Sequence, residues 1–310
     1  MDDKGILGGL HPFMKLLLLV LLMFGSALVV LVIGMLMGTL FFGTEILSGM
    51  GADPANVAYL RYVQIISHLG LFITASLLFA FLVGQHPMAY LQGQRSPNGR
   101  SLWLSAAIML AAVPLVYYLG YLNQSLSLPE SFKALESWMR QMEDSAEEIT
   151  RLLLDVSSWQ GLLFNLFMIA VIPAIGEEFI FRGALQRIFR QWTGSTHVAV
   201  LLAAVLFSAM HLQFFGFLPR LLLGILLGYM MVYTKNIWVP VFAHFFNNAA
   251  AVILYYGISQ SGSEFDMDSV GEMPMAWLPA LVSLGVLLFL FSLLKMRRIT
   301  GEFKGNRPLW

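Results

Sequence analysis

Glu177-Glu178-Phe179-Ile180-Phe181-Arg182 sets two carboxylates and a guanidinium into an otherwise apolar stretch. The other acidic residues of the chain fall in polar loops or terminal segments. Charge at bilayer depth is costly, tends to face the interior of a helix bundle and often marks a functional site. Two further apolar segments carry residues suited to chemistry, Phe207-x-x-x-His211 and His244-x-x-x-Asn248. Residues four apart on a helix share a face, so Glu178 lies over Arg182, Phe207 over His211 and His244 over Asn248. Glu177 sits about 100° further round at 3.6 residues per turn, which frees it for a different partner.

Such a set fits hydrolysis within a membrane. A carboxylate held away from bulk water accepts a proton more readily than one in water. Glu177 is then the general base on a water that His211 orients or polarises. His244 and Asn248 are placed to donate hydrogen bonds to the oxyanion of a tetrahedral intermediate. Alternatively, Glu177, His211 and His244 are two imidazoles and a carboxylate, a familiar catalytic set for a divalent metal such as zinc. The sequence leaves both open, although the absence of His-Glu-x-x-His removes the usual zincin arrangement. Each residue alone has a plainer reading. One intramembrane histidine, or Asn248 with its neighbour Asn247, can simply bond helix to helix, and Glu178 with Arg182 can be a structural pair. His11, His68, His86 and His197 lie outside the constellation and are assigned no role.

The surrounding chain is 58% hydrophobic and 12% charged, against about 25% charged residues in soluble domains. It reads as an all-α polytopic membrane protein. A formal net charge of zero offers nothing to nucleic acid. With no cysteine there is no disulfide, no thiol catalysis and no thiol for a lipid anchor. Spans of about 20 apolar residues fall at 14–41, 66–85, 102–121, 159–190, 197–213, 217–233, 237–256 and 277–294. The first is too long for a signal-peptide core and is read as retained. Counted from ends near Arg190, His197 and Ile237, Glu177 and His211 lie ~20 Å deep and His244 and Asn248 ~10–17 Å deep. The three motifs therefore meet within the bilayer. Pro173, four residues before Glu177, is placed to kink the fourth span and open space there.

Eight spans put both termini on one side. With that side cytoplasmic, it collects Lys15, Arg95, Arg100, Arg187, Arg190, Lys235 and Lys295, together with Lys4, Arg297, Arg298, Lys304 and Arg307. The opposite side receives the net acidic 130–155 segment and Glu264, Asp266, Asp268 and Glu272. That is the positive-inside asymmetry, and it fits a prokaryotic cytoplasmic membrane or an endoplasmic reticulum; Arg61 and Arg220 fit it less well. No internal repeat is visible, unlike the inverted-repeat transporters. Spans one to three look like scaffold. In 127–153, Ser127-x-x-Glu130 resembles a capping box, and Phe132, Leu135, Met139, Met142, Ile149 and Leu153 recur at helical spacing. This reads as an amphipathic helix on the outer surface, a connector or a substrate gate. Gly224-x-x-x-Gly228 reads as close helix packing.

The ordered motifs resemble the CPBP intramembrane proteases, named for CAAX proteases and bacteriocin-processing enzymes and also called abortive-infection proteins. Their pattern is Glu-Glu-x-x-x-Arg, Phe-x-x-x-His, then His-x-x-x-Asn, here Glu177-Glu178…Arg182, Phe207…His211 and His244…Asn248. The resemblance covers about 159–256. It implies endopeptidase chemistry in an all-helical membrane fold, with Glu177 as base, His211 as its partner, His244 and Asn248 at the oxyanion, and Glu178, Arg182 and Phe207 supporting. It implies either a glutamate or a metal mechanism, and a membrane-bound or lipid-linked polypeptide as substrate. The chain then divides into a three-span scaffold (1–121), an extracytoplasmic loop with the amphipathic helix (122–158), a CPBP-like catalytic core (159–256), and an acidic loop, last span and basic cytoplasmic tail (257–310). Two other readings stand beside it: a non-catalytic scaffold or immunity protein of the same fold, and a transporter with Glu177 as proton carrier.

Overall fold

The structure is a computed structural model that describes residues 5–48, 56–261 and 273–299. The expected acidic loop residues Glu264, Asp266, Asp268 and Glu272, with Lys4, Lys304 and Arg307, lie outside the described residues. Among the described residues nine principal helices follow one another: α1 (Pro12–Phe42), α2 (Val57–Gly84), α3 (Gly99–Gln124), α4 (Lys133–Leu154), α5 (Trp159–Thr193), α6 (Thr196–Ala209), α7 (Phe217–Thr234), α8 (Trp238–Ser261) and α9 (Trp277–Ile299). Of these described helices, seven are long and apolar enough to cross a membrane, α4 and α6 being the exceptions. The chain is an all-helical, multi-pass membrane protein.

Two expected spans change. The second begins at Val57 rather than 66, because Asn56 caps it by accepting from the Tyr59 amide at 3.1 Å. Its first turns carry Arg61 and Gln64, polar residues at which an apolar count stops. Arg61 is thereby explained, since its guanidinium donates to Leu153 O on α4 at 3.0 Å. The fifth span, expected at 197–213, is the 14-residue α6, which ends at Ala209. A turn follows in which Leu212 takes a left-handed φ of 53°, so His211 lies just past the helix rather than within it.

α5 is the centre of the bundle. Of its most apolar window 61% is buried, against 17–39% in the other six spanning helices. One apolar cluster joins α5 to α1, α2 and α6 through Leu19, Phe79, Ile180 and Phe207. A second joins α3, α7, α8 and α9 through Ile108, Met230, Ala243 and Leu287. α6 and α7 meet at the glycine pair. A Cβ on Gly224 would stand 2.9 Å from Ala204 Cβ and 3.0 Å from its Cα, and one on Gly228 2.9 Å from Val200 Cγ1. Gly224→Leu must part these helices and is expected to destabilise the protein by about 1–3 kcal/mol; thermal unfolding in detergent measures it.

α4 lies across one end of the bundle. The Ser127–Glu130 capping box does not form. A 3₁₀ turn at Glu130–Phe132 leads into the helix instead, and Glu136 accepts from the Leu128 amide at 2.9 Å and from Arg140. The Leu128 amide first, then Arg140, holds the Glu136 carboxyl below its ordinary value. This latch is intact above the normal carboxylate range and is lost as pH falls through the lowered value. α4 is pinned where Glu143 accepts from the Phe215 amide at 2.8 Å and Arg140 lies 4.1 Å over the Phe215 ring. Phe132, Leu135 and Ile149 remain exposed along its apolar side, as in a helix lying on a membrane surface.

Candidate active site

Pro173 shapes the deep part of α5. Proline offers no N–H to the carbonyl four residues back, here Ile169 O, and Asn248 Nδ2 on α8 donates to that oxygen at 3.1 Å. Asn247 Nδ2 donates in turn to Asn248 Oδ1 at 3.2 Å. α5 takes π geometry at Leu166–Val171 and again at Phe179–Leu185, a winding frequent at functional sites. The glutamate pair lies between these two stretches.

Glu178 and Arg182 form the buried ion pair that their spacing predicts, Arg182 Nη1 donating to Glu178 Oε1 at 2.8 Å with side chains 1% and 0% exposed. His244 Nδ1 meets the same oxygen at 2.9 Å. Arg182 Nη2 donates to Gly224 O at 3.1 Å, and Gln186 Nε2, one turn on, to Gly228 O at 3.2 Å. The glycine pair read as packing alone thus also supplies two carbonyl acceptors to α5. Phe207 is the apolar hub, with Arg182 over its ring at 4.6 Å and the rings of Phe181, His211 and His244 edge-on at 5.2, 5.2 and 5.9 Å.

Glu177, 7% exposed, has two distinct oxygens. Oε1 lies 3.4 Å from His68 Nε2. Oε2 is buried without a hydrogen-bond partner, and His244 Nε2 stands 3.9 Å away. One imidazole therefore faces both glutamates, Glu178 through Nδ1 and Glu177 through Nε2. Adjacent helical positions about 100° apart reach the same ring from two sides. His211 Nδ1 is tied to Phe207 O at 2.8 Å. A carbonyl only accepts, so Nδ1 carries the proton and the neutral ring leaves Nε2 as an acceptor.

The structure thus gathers Glu177, Glu178, Arg182, Phe207 and His244 into one buried cluster. His211 stands at its rim, exposed, interacting electrostatically with Glu177, and Asn248 turns toward Ile169. Among the described residues no three histidine or carboxylate side chains converge as a metal set.

His68, assigned no role by sequence, touches Glu177. The available signal was its place as the one ionisable residue between 66 and 85, where an intramembrane charge-bearing group is a functional candidate by default. It belongs to none of the three motifs.

Residues 159–250 match the family described as type II CAAX prenyl endopeptidase Rce1-like. A stretch of 89 residues is 30% identical to uncharacterized protein YpbD of Bacillus subtilis (strain 168), covering 27% of this chain and 42% of that relative. The match thus spans less than half of that relative's length. No solved structure matches the chain. The matched segment holds all three motifs, from Glu177 to Asn248, and is similar to that family.

Proposed function

We propose that the protein is an intramembrane endopeptidase that hydrolyses a peptide bond of a membrane-associated or lipid-linked polypeptide. The observation that carries this reading is Glu177, a buried carboxylate with one oxygen held and the other left open beside an oriented imidazole. A water donating to Oε2 attacks the scissile carbonyl carbon while Glu177 takes its proton. His211 Nε2 is an acceptor on the same water and orients it. His244, fixed by Glu178, donates from Nε2 to the oxyanion when protonated, and the second N–H of Asn248 joins it. When the tetrahedral intermediate collapses the C–N bond breaks and Glu177 returns its proton to the leaving amine.

Residues 159–256 act as the core in this reading, and 1–121 as the scaffold around it. Both termini face the cytoplasm of a prokaryotic cell, as the basic residues favour. The test is cleavage of a mixed library of membrane peptides, a prenylated CAAX peptide included, by purified wild type and Glu177→Ala, with a parallel chelator arm. Products made by the wild type and absent with Glu177→Ala are expected; equal cleavage by both proteins defeats the mechanism.

A further inference from the structure

The side chain that grips Glu177 comes from a helix outside the matched segment. α2 presses on α5 at Gly176, where a Cβ would stand 2.8 Å from Phe72 Cβ and 3.2 Å from Ile73 Cγ1. Because position 176 is bare, α2 comes near enough for His68 to reach the carboxylate of the next residue. α2 is held at that depth from behind, where Ser26 Oγ on α1 donates to Gly70 O at 2.7 Å.

The hydrogen-bond roles are fixed by chemistry. A carboxylate only accepts, so His68 Nε2 carries the proton it directs at Glu177 Oε1. The neutral ring then offers Nδ1 as an acceptor, and Gln64 Nε2, one turn back on α2, stands 3.5 Å from it. Phe72 backs the ring at 5.1 Å between centroids. The order Gln64, His68, Glu177 is that of an oriented imidazole, with the amide setting the tautomer and the ring holding the carboxylate.

We propose that His68 is a positioning residue for Glu177. A terminal carboxylate torsion is broad and roughly two-fold, so an untethered Glu177 would present either oxygen at varied angles. Tying Oε1 to α2 leaves Oε2 as the basic oxygen and aims it toward His244. The site is then shared between α2 and the Rce1-like segment, and the segment alone is incomplete. This assignment rests on the hydrolase reading for its kinetic consequence, but not for the contact itself.

Two measurements test it. His68→Phe keeps a ring against Phe72 and removes the donor, whereas His68→Asn and His68→Gln return an N–H. The expected result is kcat lowered about 10- to 100-fold in His68→Phe, with KM unchanged, and most of the loss recovered in one of the amides. Undiminished kcat in a folded His68→Phe overturns the proposal. Independently of turnover, imidazole nitrogen NMR of the detergent-solubilised chain, which holds six histidines, reads the contact. Glu177→Ala, which removes the acceptor, is expected to shift His68 Nε2 and leave His11 and His86 in place, and an unmoved His68 overturns the assignment even if His68→Phe fails to fold. A wild type that cleaves nothing defeats the hydrolase reading alone, and the nitrogen shift then decides the contact by itself.

Discussion

Glu177→Gln is expected to lower peptide cleavage about 10²- to 10⁴-fold, or by about 3–5 kcal/mol of transition-state stabilisation. The amide is nearly isosteric and keeps a carbonyl oxygen for the His68 Nε2–H, so the cluster retains its shape. It has no basic oxygen, so the proton of the attacking water has nowhere to go. Stability moves the other way. The buried cluster holds two carboxylates and one guanidinium, and the substitution removes the carboxylate that lacks the guanidinium. Thermal unfolding in detergent should therefore show a melting temperature equal to or above that of the wild type while single-turnover cleavage vanishes. Cleavage at the wild-type rate by a folded Glu177→Gln protein would remove Glu177 from the chemistry.

Arg182→Leu produces the largest expected loss of stability, about 3–5 kcal/mol, because removing one partner of a buried pair leaves the other charge uncompensated. Glu178 would keep His244 as a partner, Gly224 O would lose the Arg182 N–H, and Phe207 would lose the cation over its ring. The double substitution Glu178→Gln with Arg182→Leu is expected to regain much of that stability, since a buried pair replaced together by neutral groups costs little. Activity should not return with it, because the carboxylate that holds His244 Nδ1 is gone. Unfolding curves for the two proteins separate these effects. A single Arg182→Leu protein as stable as the wild type would show that the pair is not a structural strut.

The sequence showed the site's inner half more clearly than its outer half, for physical reasons. Glu178–Arg182 and His244–Asn248 were legible because helical spacing fixes which residues share a face, and charge in an apolar run is conspicuous. The partnership of His244 with both glutamates was not, since it depends on how α5 and α8 are rotated against each other. His68 was hidden for a similar reason. Its contact with Glu177 is made possible by a glycine 108 positions later in the chain, and only the packed structure shows which glycine serves as a notch. The role of Asn248 at Ile169 O follows from Pro173, but only once α8 is known to pass beside that carbonyl. Span limits erred where polar residues extend a helix, at Arg61 and Gln64, and where apolar residues continue past its end, at Met210 and Leu212. Hydropathy reports which residues prefer lipid, and backbone hydrogen bonds decide where a helix stops.

The shortness of α6 has a consequence for the lipid around it. Fourteen residues rise about 21 Å, whereas the hydrocarbon layer is about 30 Å thick. Hydrophobic mismatch of this sign is relieved by thinning of the bilayer at the short element. The headgroup boundary is then drawn inward over the end of α6, where His211 is exposed. Water would follow the headgroups down to the rim of the glutamate cluster, and the proposed base would draw on it through a dimple in the membrane surface.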